Sequence, residues 1–191
     1  MTARILAFAG SARAGSFNKK LVAVAADAAR AAGGDATLVD LRDFPMPLYD
    51  GDVESAQGLP EHAKRLKALF LAHDGLLMSC PEYNSSITPL LKNAIDWVSR
   101  PAPDEKALAC FDGKVAALLA ASPGALGGLR GLVHVRAILG NIGVLVLPTQ
   151  VAVAKSHEAF DADGKLKDAK QHASVERLAG QLVQAIAKLR G

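Results

Sequence analysis

The 191-residue sequence lacks the features that mark several large classes of protein. It has only two cysteines, Cys80 and Cys110, with no C-x-x-C pair and no clustered histidines, which excludes a zinc ribbon and gives no support for a disulfide framework. No apolar run approaches the ~20 residues of a membrane-spanning helix, and the short run at the N-terminus is too short for a signal peptide. The sequence therefore predicts a cytoplasmic protein without a membrane span.

Strong charge of one sign is also missing. Twenty-two Lys and Arg residues against nineteen Asp and Glu leave a net charge of +3, and no block of five like charges occurs. This pattern excludes an electrostatic surface for nucleic acid. Half of the residues are apolar, which excludes disorder. At about 150 residues per domain, residues 1–191 are predicted to form a single domain.

Short apolar runs alternate with segments of helical spacing. A weaker run at 37–41 is predicted at a sheet edge, a helix is predicted over 16–32, and two loops are predicted at 45–60 and 158–167. The alternation predicts an α/β fold with a doubly wound parallel sheet of five strands and helices on both faces. Four continuous runs are typical of strands covered on both faces: 5–9, 75–80, 115–121 and 144–147.

Three polar or glycine-rich loops follow predicted strands, at the edge where an open α/β sheet binds ligands. The loop at 10–18 opens a helix, a geometry that binds anions, although Ser16 here would serve equally as a plain helix cap. It matches neither G-x-x-x-x-G-K-[ST] nor G-x-G-x-x-G, because Ser16 and Ala12 stand at required positions. The loop at 81–89 offers Tyr83 and Asn84 for a flat ring, unless Tyr83 is a surface aromatic at a subunit contact. The loop at 122–130 has three glycines that allow close approach to a ligand.

These segments resemble the NADPH-dependent FMN reductases of flavodoxin-like fold, which include quinone, chromate and azo-dye reductases. The resemblance lies in GSARAGSFNKKL at 10–21, PEYNSSITPLLKNAIDWVSR at 81–100 and SPGALGGLRG at 122–131. One departure is the pair Thr88-Pro89, where the family usually has Pro-Gly. The resemblance implies strand order 2-1-3-4-5, bound FMN, NADPH or NADH as co-substrate, and a homodimer or homotetramer.

The resemblance also implies a set of cofactor-binding residues, in three groups that follow the three loops. The group implied to surround the FMN phosphate is Ser11, Arg13, Ser16, Phe17 and Asn18. The group implied to line the isoalloxazine is Pro81, Glu82, Tyr83 and Asn84. The group implied to lie against the ribityl chain and the ring edge is Ser122, Pro123 and Gly124.

The side chains near these loops offer little chemistry of their own. The five histidines are predicted away from the loops, with His73 a core residue, and Glu82 and Asp96 have no evident metal-binding partner. No catalytic residue and no metal site is therefore predicted, which suits a flavin enzyme because the cofactor supplies the reactivity. The expected reaction is ping-pong transfer from NAD(P)H through FMN to a quinone, chromate, an azo or nitro compound, or free flavin.

Two other functions are compatible with the sequence. One is a flavodoxin-like electron carrier that docks on protein partners; such carriers are usually strongly acidic, whereas this sequence has a pI near 8.9. The other is a regulatory or structural α/β protein with an empty nucleotide site. Oxidation of NAD(P)H with and without a quinone separates the enzyme from the carrier.

Overall fold

The computed structural model describes residues 2–103 and 105–191, and its centre is a five-stranded parallel sheet of order β2-β1-β3-β4-β5. The predicted strand order is therefore confirmed, with β2 at an edge. The strands are β1 (Arg4–Ala9), β2 (Asp35–Asp40), β3 (Gly75–Ser79), β4 (Val115–Ala121) and β5 (Leu145–Val153).

Helices cover both faces of the sheet. Side chains of β1 alternate between the faces, so that Ile5 and Ala7 pack beneath α1 and α7, whereas Leu6 and Phe8 pack beneath α3, α4 and α5. The helices are α1 (Phe17–Ala31), α2 (Gly51–Gln57), α3 (Glu61–Ala72), α4 (Pro89–Ser99), α5 (Leu129–Asn141), α6 (Ser156–Ala159) and α7 (Ala169–Arg190).

Strand β5 is longer than the predicted run at 144–147 and continues to Val153. Pro148 and Thr149 interrupt the apolar pattern, but they lie where the β4–β5 register shifts. Val146 pairs with Ala116 and Gln150 pairs with Leu118, so that three residues of β5 oppose one residue of β4. An edge-strand bulge accommodates a proline because no ladder hydrogen bond is required there.

The predicted loop at 45–60 also contains structure that the sequence pattern did not indicate. Helix α2 lies inside it, capped by the Asp50 carboxylate, which accepts a hydrogen bond from the Asp52 N–H at 2.8 Å. The preceding segment is fixed to α4, because the Trp97 indole and the Asn93 amide both donate to the Pro47 carbonyl. Trp97 is thus a packing residue.

The amino-terminal edge of the sheet carries a charge cluster. The Asp74 carboxylate accepts hydrogen bonds from the backbone N–H and the guanidinium of Arg4, and it forms an ion pair with Arg190 at the end of α7. Lys114 lies beside this cluster and donates to the His73 carbonyl. The cluster ties the last helix to the sheet, at the edge opposite the three predicted ligand loops.

Candidate functional site

The loop after β1 leads into a helix whose amino terminus is open. Ser16 is the N-cap of α1, has extended backbone and makes no side-chain capping bond, and the first turn of α1 contains no acidic residue. Ser11 and Ser16 are buried, while Arg13 is exposed at the mouth of the loop. Free N–H groups and the positive end of the helix dipole favour an anion at this position.

The helices that follow β3 and β4 have occupied amino termini. At α4, Thr88 caps the helix by accepting from the Leu91 N–H at 3.2 Å, and Pro89 removes one donor. At α5, the Glu82 carboxylate accepts from the N–H groups of Arg130 and Gly131, at 3.0 and 3.2 Å. Of these three helices, α1 is the one whose first turn has neither a side-chain cap nor a carboxylate bonded to its N–H groups.

Asn18 joins the site to the scaffold. Its amide NH₂ donates to the Ala121 carbonyl at 2.8 Å, and its amide oxygen accepts from the Ala121 N–H at 3.0 Å and from the Ser79 hydroxyl at 2.9 Å. All three groups are buried. The side chain therefore fixes the start of α1 to the ends of β3 and β4, which is a structural role beyond the phosphate contact that the family resemblance implies.

The loop after β3 ends in a two-residue hairpin turn. Tyr83 and Ser86 exchange both backbone hydrogen bonds at 3.0 Å, and the two residues between them, Asn84 and Ser85, have φ of 50° and 66°. This is the pattern of a type I′ turn, which asparagine tolerates and serine disfavours. The turn presents Tyr83 to solvent at the edge of the sheet.

The loop after β4 is held by neighbouring backbone. The Ser122 N–H donates to the Val153 carbonyl, and the Ser156 N–H donates to the Ser122 carbonyl. Gly127 has φ of +61°, and a Cβ at this position would lie 2.8 Å from the β5 backbone. Glycine is required here both for the backbone conformation and for the close approach. The loop can thus turn sharply into α5 beside Glu82.

The three loops enclose one small cavity. Its lining contains ten of the twelve expected residues together with Ala121; Asn84 and Gly124 lie outside it. The cavity is small, with a volume of about 60 Å³. The lining residues expected from the sequence are Ser11, Arg13, Ser16, Phe17, Asn18, Pro81, Glu82, Tyr83, Ser122 and Pro123.

A larger cavity of about 380 Å³ lies on the other side of β1. None of the twelve expected residues lines it. It is bordered by Leu38 and Asp43 and by the ion pair between Lys19 and Asp40, at 2.6 Å. Because Lys19 and Asp40 neutralise each other, this cavity offers no free positive charge from Lys19 to an anion. The smaller cavity therefore remains the better candidate for an anionic ligand.

The sequence pattern missed two groups beside the site. Arg130 forms an ion pair with Glu82, and His134, which was predicted away from the loops, hydrogen-bonds to the Ser86 hydroxyl at 2.8 Å. The prediction for His134 is wrong because α5 folds back against the turn at 83–86. The sequence contains one signal for the contact between Arg130 and Glu82. Arg130 is a cation in the first turn of a helix, where the helix dipole favours a nearby negative charge.

The two cysteines and His73 lie in the interior, and His73 is a core residue as predicted. Both cysteines are buried and free, and burial raises the pKa of the Cys110 thiol above its ordinary value. His73 is a core residue bonded to the Leu69 carbonyl and the Thr37 hydroxyl. Within residues 2–103 and 105–191, no cluster of His, Cys, Asp or Glu is placed to hold a metal ion, and no helix there is both long and apolar enough to cross a bilayer.

A parallel sheet of order 2-1-3-4-5, with an open helix N-terminus where the strand order reverses, defines a flavodoxin-like protein with a site for a phosphorylated ligand. The family model for NADPH-dependent FMN reductases matches residues 3–158. The chain belongs to the NADPH-dependent FMN reductase family, as the sequence resemblance predicted.

Individual relatives agree with this assignment. The chain is 36% identical over 189 residues to an NAD(P)H-dependent FMN reductase of Pseudomonas aeruginosa, covering 98% of this chain and 97% of that one. It is 35% identical over 144 residues to a quinone reductase of Escherichia coli, covering 75% and 73%. The solved structure of FerB, a flavoenzyme NAD(P)H:(acceptor) oxidoreductase from Paracoccus denitrificans, superimposes with a TM-score of 0.82 at 29% identity, over 98% of both chains.

Proposed function

We propose that this FMN-dependent NAD(P)H oxidoreductase passes electrons to quinones, with chromate, azo and nitro compounds and free flavin as further acceptors. The observation that carries the proposal is the open N-terminus of α1, beside Arg13 and free of acidic residues in its first turn. We propose a monophosphate ligand, because the loop before α1 lacks the G-x-G-x-x-G turn with which a dinucleotide pyrophosphate is bound at a helix terminus.

The residues of the site divide by what they offer to FMN. Ser11, Arg13 and Ser16 offer hydroxyl, guanidinium and backbone donors to the phosphate. Phe17 and Asn18 hold the start of α1, Phe17 by stacking on Phe160 with ring centroids 6.1 Å apart. The residues that would hold the ring follow β3 and β4: Pro81, Glu82, Tyr83 and Asn84; Ser122, Pro123 and Gly124.

The chain supplies position and electrostatics to the reaction. FMN, when bound, would supply the hydride and electron chemistry between NAD(P)H and the acceptor, so that the chain need not provide a nucleophile. Tyr83 stands exposed at the turn, where nicotinamide and acceptor would stack in succession. The cytoplasm, which regenerates NAD(P)H, is the compartment that we propose for this cycle.

This function is tested by the absorption spectrum of the purified protein and by its oxidation of NAD(P)H in the presence of a quinone. The purified protein should carry a flavin whose absorption is lost on adding NAD(P)H and returns on adding a quinone. Acid-released cofactor should run as FMN. Release of FAD as the main species, or no oxidation of NAD(P)H in the presence of quinone, would contradict the proposal.

Replacing Arg13 with alanine is expected to weaken FMN binding roughly ten- to a hundredfold, because a charge-assisted hydrogen bond to the phosphate is lost. Riboflavin, which has no phosphate, should bind wild type and variant equally. Titration of the apo-protein with both flavins measures this, with Arg177→Ala on α7 as a control for the loss of an exposed arginine. Equal losses for FMN and riboflavin would remove Arg13 from the phosphate site.

We also propose that the chain forms a homodimer or a homotetramer. Leu129 and Val133 lie one turn apart on α5 with their side chains exposed, Val133 at 59%, and Leu126 is exposed just before them. These apolar residues adjoin the end of α5 that Glu82 contacts, so an interface here would border the site. Contiguous exposed apolar side chains of this kind mark interaction surfaces.

Introducing a charge at Val133 is expected to raise the dissociation constant of the assembly more than tenfold, because an aspartate buried in an interface has no partner. Sedimentation equilibrium of wild type and Val133→Asp measures this. The control is Leu189→Asp, which charges an exposed apolar position on α7. A monomeric wild type would contradict the proposed assembly.

A further inference from the structure

The Glu82 carboxylate is bonded to the first turn of α5. One oxygen accepts from the backbone N–H groups of Arg130 and Gly131, and the other accepts from Arg130 Nε at 2.9 Å and from the second guanidinium nitrogen. The Glu82 side chain is only 8% exposed. Burial alone raises the pKa of Glu82, but the hydrogen bonds from Arg130 and Gly131 outweigh burial, and the pKa lies below its usual value. The side chain is therefore ionised at neutral pH.

Arg130 occupies a position that is unfavourable for a cation. It stands in the first turn of α5, where the helix dipole repels positive charge and no acidic residue of the helix offsets it. Glu82, 48 residues earlier in the chain, supplies the missing negative charge. The Arg130 side chain is 56% exposed, so the pair has a buried anionic half and an exposed cationic half.

Glycine permits this close contact. A Cβ at Gly131 would lie 3.4 Å from the Glu82 Cβ and 3.2 Å from the Ser86 carbonyl oxygen. The start of α5 can therefore rest directly on both ends of the turn at 83–86. The Ser86–His134 hydrogen bond adds a second attachment one helical turn later. The turn that carries Tyr83 is thus held in place by its contacts with α5.

We infer that Glu82 is a positioning residue that acts through α5: its carboxylate holds the Tyr83 turn against the helix and neutralises Arg130 beside the flavin. The inference rests on the proposed function. Because the pair is neutral, it leaves the balance between oxidised and reduced FMN undisturbed, and removing either partner exposes one charge beside the ring. The reduced ring carries more negative charge than the oxidised ring, so the two single substitutions act in opposite directions.

The affinity of the protein for reduced relative to oxidised FMN tests the electrostatic half of the inference. Glu82→Gln leaves Arg130 unpaired and should raise this ratio roughly three- to tenfold, whereas Arg130→Gln should lower it by a similar factor. The double variant should return to within about twofold of wild type. The midpoint potential of the bound flavin reports the same ratio. Changes of the same sign in both single variants, or no change, would overturn the electrostatic role.

The apo-protein tests the positioning half without any cofactor. Glutamine retains an oxygen that accepts from both N–H groups, so exchange of the Arg130 and Gly131 amides in Glu82→Gln should stay within about twofold of wild type. Glu82→Ala should accelerate it roughly three- to tenfold. Asp112→Asn, which breaks the Lys106 ion pair just before β4, is the control for loss of a carboxylate. Unchanged exchange in Glu82→Ala would overturn the positioning role.

These experiments separate the inference from the proposed function. Wild type that fails to bind FMN contradicts the proposed function and the electrostatic role together, and the amide exchange still decides the positioning role. Wild type that binds and reduces FMN, with potentials unaffected by either single substitution, leaves the proposed function intact and overturns the electrostatic role.

Discussion

Replacing Asn18 with leucine is expected to destabilise the apo-protein by about 3–5 kcal/mol. Leucine has a similar volume but makes no hydrogen bond, so the N–H and carbonyl of Ala121 and the hydroxyl of Ser79 would be left unpaired in the interior. Each unpaired buried group costs about 1–3 kcal/mol. Urea unfolding followed by circular dichroism measures the loss, with cofactor-free wild type as the reference.

Asn141→Leu provides the matched control for Asn18→Leu. Asn141 is exposed at the end of α5, so the same chemical change there should alter stability by less than about 0.5 kcal/mol. A loss below 1 kcal/mol in Asn18→Leu would show that the buried amide does not join α1 to β3 and β4. Asn18→Asp should be no better than leucine, because a carboxylate cannot donate to the Ala121 carbonyl.

Replacing Asp74 with asparagine is expected to cost about 2–4 kcal/mol of stability at pH 7. The Asp74 side chain is 2% exposed and bonds to both Arg4 and Arg190, and hydrogen bonds to charged groups contribute about 1.5–3 kcal/mol each. The neutral amide would also leave Lys114, Arg4 and Arg190 without an opposing charge at this edge of the sheet. Thermal unfolding of Asp74→Asn against wild type measures the loss.

The same cluster predicts how stability depends on pH. Burial alone raises the pKa of Asp74, but hydrogen bonds from Arg4 and the positive charges of Arg190 and Arg4 outweigh it, so the folded-state pKa lies below the ordinary value. A carboxyl of this kind stabilises the fold fully above its unfolded pKa of about 3.9 and loses that contribution as pH falls through the folded value. The difference in stability between wild type and Asp74→Asn should therefore be constant from about pH 6 to about pH 7 and shrink below about pH 4. A constant difference down to about pH 2 would contradict this assignment.

The sheet could be predicted because most of its strands are continuous apolar runs. Such runs can be identified in the sequence without knowing which strands pair with one another. The limits of that pattern are visible at β5, where Pro148 ends the run but a bulge lets the strand continue. They are visible again at α2, a short helix that buries no side chain and depends on the Asp50 cap. Apolar periodicity gives no signal for an element without a buried face.

The meeting of the three loops could likewise be predicted, because loops after parallel strands lie at one edge of the sheet. The individual contacts could not be predicted from spacing. Glu82 was expected against the ring, yet its carboxylate bonds to residues 48 and 49 positions later. Asn18 was expected at the phosphate, yet its amide bonds to Ala121. Such contacts depend on how the loops pack in three dimensions, which local sequence does not encode.

The hydrogen bond between Asn18 and Ala121 joins residues that are 103 positions apart. It can therefore form only after β4 has been synthesised. Helix α1 leaves the ribosome long before β4, and until residue 121 emerges the Asn18 amide has no strand to bond. The walls at 81–83 and 121–123 are absent from a shorter nascent chain as well. Capture of FMN is therefore a late event of biosynthesis.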